Sequence, residues 1–347
     1  MGVFNKPSPL KKGDTIGIIT PSFCANVILH EKYKKGIANL KQLGFEIIEG
    51  TLSKSLSSEG YRVASAKDRA KEFNQIYKDE SVKAIITTIG GSCSSSIIPY
   101  LDFDYVQKHP KIFCGFSDIT SLHVALNHFG NLTTFYGPAL VPSFGEPIVD
   151  KFTLEHWEKQ VGLRQNSSLP LLLTHPPAYS NQFIDATKAG WEKRRREYVK
   201  NIGWKVLVEG ACKGELLAYN LNTLLSVAGT AFFPDFTDKI LLLEQMNVDL
   251  DMEERLWSHL RLLGVFDKIK GLIVSKPEKL DKKGAPFSYD ELILQCIGEK
   301  VNFPIITNFD CGHTYPMITM PQGVLFELTA RNDQIRLYQY EYGTIKK

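Results

Sequence analysis

Apolar positions along the chain fall into two kinds of pattern. Short, nearly unbroken apolar runs occur at 15–20 (Thr-Ile-Gly-Ile-Ile-Thr), 83–88 and 111–116, the pattern of strands buried on both faces. Between them a spacing of three and four sets Ile37, Leu40 and Leu43 on one face over about 31–43, and Ala70, Phe73 and Ile76 on one face over about 66–77. That spacing predicts amphipathic helices. Strands alternating with helices predict an α/β fold with a parallel sheet covered on both sides, here a Rossmann-like N-terminal domain.

From about 145 to 210 the periodicity fades while Pro, Ser, Asn and charged residues accumulate, Pro170, Pro176 and Pro177 among them. This predicts a linker or domain boundary. A second α/β set follows, with helices near 221–228, 252–263 and 289–298. Its strands are expected at 239–243, 271–275, 304–308, 324–329 and 335–341. A chain of 347 residues is also long for one core of ordinary size. The expected division is 1–150, then 151–210 as linker and substrate loop, then a smaller C-terminal α/β domain over 211–347.

Composition narrows the function classes. Apolar residues make up 43% and charged residues 23%, ordinary globular values. Lys and Arg total 41 against 38 Asp and Glu, a formal +3, too little for a counterion-releasing surface, so a nucleic-acid polymer is not an expected partner. The run Lys193-Arg194-Arg195-Arg196 reads first as a solvated surface and second as an anion-binding patch. Six cysteines lie at 24, 93, 114, 212, 296 and 311, with no CxxC pair and no His at ligand spacing. No metal and no cofactor are therefore expected, and reduced thiols fit the cytoplasm. Met1 to Lys12 lacks the apolar core of a signal peptide, and no apolar run approaches the roughly 20 residues of a membrane span.

Four segments carry candidate chemistry. In Ile112-Phe-Cys-Gly-Phe-Ser-Asp118 an apolar strand enters Gly-x-Ser and then a helix-like segment through Leu122, Val124 and Leu126. A tight turn there would lift the Ser117 hydroxyl off the sheet edge and present helix N–H groups to an oxyanion, or Ser117 would simply cap the helix. Ile119 stands where the hydrolase elbow Gly-x-Ser-x-Gly has its second glycine. The small-residue loop Gly90-Gly-Ser-Cys-Ser-Ser-Ser96 follows a strand and exposes backbone amides, for an anion, half an oxyanion hole, or a plain turn. Glu244 ends the apolar run 240–243, and His313 lies in the loop Asp310-Cys-Gly-His-Thr-Tyr-Pro316 after the strand at 304–308. Either alone fits an exposed loop or strand end. Together they supply a nucleophile, a base and an orienting carboxylate, each at the end of a strand.

Several motifs then resemble the S66 serine peptidases, in collinear order over almost the whole chain. They are Thr88-Ile-Gly-Gly91, Ile97-Ile-Pro-Tyr-Leu-Asp102, Gly115-Phe-Ser-Asp-Ile-Thr120, Thr134-Phe-Tyr-Gly-Pro-Ala-Leu140, Pro142-Ser-Phe-Gly-Glu146, Asn220-Leu-Asn-Thr223 and Cys311-Gly-His-Thr-Tyr-Pro-Met317. That family contains the muramoyl-tetrapeptide LD-carboxypeptidases and the microcin C self-immunity proteins. The resemblance implies Ser117 as nucleophile with Glu244 and His313, an oxyanion hole from the amides of Asp118 and Gly91 rather than Gly90, and a homodimer.

The Thr-Ile-Gly-Gly loop, Pro-Ser-Phe-Gly-Glu and the Cys-x-His-Thr loop are closer to the microcin C immunity branch. There the Trp before the charged run, here Trp191, is expected to stack on a nucleobase or else to cover its own domain, and Asn220 is expected to bind substrate. The chain departs from the family pattern at Ser92-Cys93-Ser94-Ser95, at Ala218-Tyr219, whose bulk is expected to narrow the pocket, and at Gln245. The expected partner is a small peptide or peptidyl-nucleotide, met by acyl transfer to Ser117. Removal of a terminal D-amino acid from a murein tetrapeptide is the alternative substrate reading. A non-catalytic nucleotide- or sugar-binding module is the alternative of another class.

Overall fold

A computed structural model of the chain describes residues 4–164, 168–182, 184–298, 301–332 and 334–346. Strands β1 (Thr15–Ile19), β2 (Glu46–Glu49), β3 (Val82–Thr87), β4 (Ile112–Gly115) and β5 (Phe135–Tyr136) form a parallel sheet in the order 5-4-3-1-2. A short strand from far along the chain, Met320–Pro321, pairs antiparallel with β5 and closes that edge. Helices α1 (His30–Gln42), α2 (Ala66–Lys78), α3 (Thr120–His128) and α4 (Lys151–Gln160) cover the sheet.

Each β-strand points successive side chains to opposite faces, and both faces here are filled. Ile86 packs with Ile16, Ile18, Leu40 and Trp157, while the adjacent Ile85 packs with Phe73, Phe113 and Leu126. Double coverage is why these strands appear in the sequence as apolar runs rather than as an alternation. Helix α2 starts where Ser65 accepts the Asp68 N–H, and its Ala70, Phe73 and Ile76 are buried as their spacing requires.

The second sheet is built from β6 (Lys205–Val208), β7 (Gly210–Asn220), β8 (Ile240–Glu244), β9 (Gly271–Ser275), β10 (Ile305–Phe309), β11 (Val324–Arg331) and β12 (Gln334–Gln339). Its order is Leu171–Leu172, β12, β11, β7, β8, β9, β10, β6. Strands β7 to β10 run parallel and the flanks antiparallel. Helices α5 (Leu221–Leu225), α6 (Leu250–Leu262) and α7 (Tyr289–Ile297) lie on one face, where Trp257 and Leu260 meet Leu241, Leu243 and Leu272. On the other face Ala218, Leu242, Ile273 and Ile306 pack against Phe116, Tyr136 and Ala139 of the first half. The two sheets thus share an apolar seam. Residues 151–210, where periodicity fades, contain α4, capped by Asp150, and two edge strands of the second sheet.

Two histidines are buried in neutral form. Burial takes His123 down to about 4, and His156 likewise to about 4. Their unfolded value is about 6.5, so the unfolded chain binds more protons below that point. Stability contributed by the neutral rings is present above pH ~6.5 and is lost as pH falls toward 4, by roughly 3 kcal/mol per ring at most. Urea midpoints at pH 7 and pH 5 should therefore differ, with His156→Gln shrinking the difference. A flat midpoint over this range would contradict it.

Candidate active site

Three strand ends converge on the seam. After β4 the chain is extended at Phe116 (φ −151°, ψ −176°) and then turns left-handed at Ser117, φ +66°, a conformation that costs a non-glycine residue about 1–2 kcal/mol. The strained turn leads directly into α3 and projects the Ser117 side chain from the sheet edge. Glu244 ends β8 with its carboxylate buried, its side chain 1% exposed. His313 arrives on the loop that leaves β10 and returns, through Met320, to the first sheet beside Tyr136.

The side chains form one hydrogen-bonded line. Ser117 Oγ is 3.1 Å from His313 Nε2, and His313 Nδ1 is 2.6 Å from Glu244 Oε2. The other carboxylate oxygen, Oε1, accepts from the Tyr136 hydroxyl at 2.6 Å and from Asn220 Nδ2 at 3.0 Å. Tyr136 Oη also accepts the Ser117 backbone N–H at 2.9 Å. A single phenol thereby ties the Ser117 turn to the carboxylate. Burial, reinforced by the Glu244 charge, holds that phenol well above its ordinary value, so it remains a donor. A carboxylate so held fixes the imidazole with its proton on Nδ1 and leaves Nε2 free to accept from the serine.

Two glycines are set by close approach. A Cβ on Gly312 (φ +122°) would overlap Glu244 Oε2, and one on Gly90 would stand 2.9 Å from Ser117 Oγ. The Gly90-Gly91 loop therefore passes directly against Ser117. The His313 loop is anchored at its start by Asp310, which accepts from Lys276 Nζ at 2.6 Å and Trp204 Nε1 at 2.9 Å; the Lys276 and Asp310 side chains are 2% and 0% exposed. At its far end the Tyr315 ring carries the Arg196 guanidinium 3.6 Å from its centroid.

Ser117, Glu244, His313 and Asp118 thus fall in one place, with Gly90 against Ser117 and Gly91 one residue further on, packed at Ser22 and Phe23. Asn220 lies there too, with its amide fully engaged: Oδ1 accepts from Thr223 N and Oγ1, and Nδ2 donates to Glu244 and Gln245. It holds the carboxylate. Trp191 is buried against α1, the Lys32 ammonium 5.6 Å from its ring centroid, and borders a surface cavity with Glu31, Lys34, Lys35 and Pro147. Tyr219 does not narrow a pocket at Ser117, because alternation along β7 turns it into the core with Val124 and Leu243. The expectation of a solvated run at 193–196 fails at Arg196, whose side chain is 6% exposed and forms a bidentate pair with Glu146 at 2.6 and 3.1 Å. Tyr136 is a site residue that its sequence alone does not mark, although it stands inside the motif Thr134 to Leu140.

A serine at a strained strand-to-helix turn, hydrogen-bonded through a histidine to a buried carboxylate, defines the class of a serine hydrolase. The chain belongs to the S66 family of serine peptidases. Residues 16–137 match its LD-carboxypeptidase N-terminal domain and residues 213–328 its LD-carboxypeptidase C-terminal domain. The microcin C7 self-immunity protein MccF of Escherichia coli is 33% identical over 98% of this chain and 97% of its own. The putative carboxypeptidase VC_A0337 of Vibrio cholerae is 33% identical over 94% of this chain and 96% of its own. A solved structure of MccF in complex with aspartyl sulfamoyl adenosine superposes with a TM-score of 0.90 at 32% identity, covering 98% of this chain and 99% of that one. Among the described residues no helix is long and apolar enough to cross a membrane.

Proposed function

We propose that this S66 hydrolase cleaves an amide in an aminoacyl- or peptidyl-nucleotide of the microcin C type, by acyl transfer to Ser117. The observation that carries the reading is the line Ser117–His313–Glu244, with distances of 3.1 and 2.6 Å. His313 Nε2 takes the hydroxyl proton as Ser117 Oγ attacks the carbonyl carbon. It returns that proton to the leaving nitrogen as the C–N bond breaks, and water then releases the acid by the reverse sequence. The amides of Asp118 and Gly91 hold the oxyanion. Ser117's own amide is committed to Tyr136, which leaves the next amide for that task.

The nucleotide class is supported by the 33% identity to MccF over nearly the whole chain and by that protein's complex with aspartyl sulfamoyl adenosine. The domain matches name LD-carboxypeptidases, so the murein tetrapeptide is the substrate to test against it. Purified protein is incubated separately with an aminoacyl sulfamoyl adenosine and with the tetrapeptide, and products are followed by mass spectrometry. Release of the amino acid from the nucleotide, with kcat/KM at least tenfold above that for D-alanine release, is expected. The reverse ratio would replace the nucleotide by the tetrapeptide.

A further inference from the structure

An oxyanion site borrowed from a loop is only as good as whatever holds the loop. Beyond Gly91 the chain runs through Ser92, Cys93 and Ser94, and two buried side chains grip one peptide group there from opposite ends. On one side Asp118 Oδ2 accepts the Cys93 N–H at 3.0 Å and the Ser94 N–H at 2.9 Å, together with the Ser22 hydroxyl at 2.6 Å. On the other side Arg69 reaches in from α2. Its Nη1 donates to the Cys93 carbonyl at 3.1 Å and to the Pro21 carbonyl, its Nη2 to Ser96 Oγ at 2.9 Å, and its Nε to the Ala64 carbonyl at 3.0 Å. Ser96 Oγ itself donates to the Cys93 carbonyl at 2.7 Å.

Arg69 is 1% exposed, and among the described residues it has no ion-pair partner. Burying a guanidinium against neutral acceptors alone is costly, and an apolar side chain at this position would serve the buried face of α2 at less cost. What the fork supplies is geometry. It ties the Pro21 turn, against which Gly91 packs at Ser22 and Phe23, to the Cys93–Ser96 turn, while Asp118 ties the same loop to the turn that carries Ser117.

We propose that Arg69, opposed by the Asp118 carboxylate, is a positioning residue that sets the Gly91 amide relative to the Asp118 amide at the distance the oxyanion requires. The inference rests on the acyl-transfer reading above. Donors displaced by about 1 Å from a developing charge lose on the order of a hundredfold in rate, while ground-state binding, made elsewhere, is spared.

Two variants test it. Arg69→Lys keeps the charge and loses the fork; Ser96→Ala removes one exposed partner of the fork and leaves the core intact. Per titrated active site, kcat should fall about tenfold to a hundredfold in the first and several-fold in the second, at nearly constant KM. The rate at which an aryl phosphonate phosphonylates Ser117, with loss of its aryloxide, should fall by the same factors. In a Ser117→Ala background, both changes should leave substrate affinity unchanged and speed hydrogen exchange of the Cys93 and Ser94 amides. Wild-type kcat and phosphonylation rate in both variants would overturn the proposal, as would unchanged exchange. If Arg69→Lys does not fold, Ser96→Ala decides. A wild-type enzyme that neither turns over nor is phosphonylated would instead remove the hydrolase reading, and the exchange data would still judge the grip on the loop.

Discussion

Ser117→Ala should lower kcat by about four to six orders of magnitude and leave substrate affinity within a few-fold of wild type. Every donor and acceptor around the hydroxyl stays in place when only Oγ is removed. His313 keeps Glu244 on Nδ1, Tyr136 keeps the Ser117 amide, and Cys93 in the loop after Gly91 keeps its contacts with Arg69 of α2 and with Asp118. Calorimetric titration of the variant with uncleaved substrate, beside steady-state kinetics, separates the two quantities. Turnover within a hundredfold of wild type would end the assignment of Ser117 as nucleophile. Stability offers an independent check on the same residue. At φ +66° alanine is as strained as serine, whereas glycine is not. Ser117→Gly should therefore be as inactive as Ser117→Ala yet more stable by about 1 kcal/mol, a small rise in melting temperature.

Glu244→Gln should cost about four orders of magnitude in kcat through the tautomer of a residue it does not alter. Oε1 is held by two donors, Tyr136 Oη and Asn220 Nδ2, and Oε2 by His313. A glutamine in this site places its carbonyl oxygen against the two donors, so its amide NH2 faces His313 Nδ1. The imidazole must then accept on Nδ1 and carry its proton on Nε2, where it cannot take one from Ser117. The fold should survive, because every hydrogen bond at the site is still made. Proton NMR of the imidazole in the variant would report the exchanged tautomer, and kcat within tenfold of wild type would show that the carboxylate does not set it.

Much of this geometry is legible in the sequence for a single reason: strands buried on both faces leave unbroken apolar runs, and two such runs end at residues with chemistry. Ile240 to Leu243 point to Glu244, and Ile112 to Phe116 point to Ser117. Strand β9 appears at 271–275 as its apolar run predicts. Strand β7 leaves no such trace, because Gly210, Lys213, Gly214 and Glu215 mix small and charged residues into its more exposed half. The short strands at Leu171 and Lys205 are equally silent, since edge strands of two to four residues bury too little to leave a period.

What the sequence withholds at the site is partnership across long separations. Arg196 reads as one of four surface cations because its carboxylate lies fifty residues away, at Glu146. Nothing local shows that the Asn220 amide is engaged by Glu244 and Gln245, twenty-four and twenty-five residues on. Arg69 carries one visible signal, a lone cation four residues before Phe73 on the apolar face of α2. A cation among apolar neighbours on a buried helix face must find hydrogen-bond acceptors somewhere in the fold, and that obligation marks the position as one with a duty beyond packing.

The pairing of Met320 with Tyr136 makes the spacing of Ser117 and His313 a matter of counting residues. His313 leaves one sheet and seven positions later is pinned into the other. Slippage of that pairing by a single residue would carry the chain about 3.3 Å and turn its side chains to the opposite face. The 3.1 Å contact between Ser117 and His313 has no such tolerance. Insertions and deletions between His313 and Met320 should therefore abolish activity through the main chain itself, which acts as a ruler.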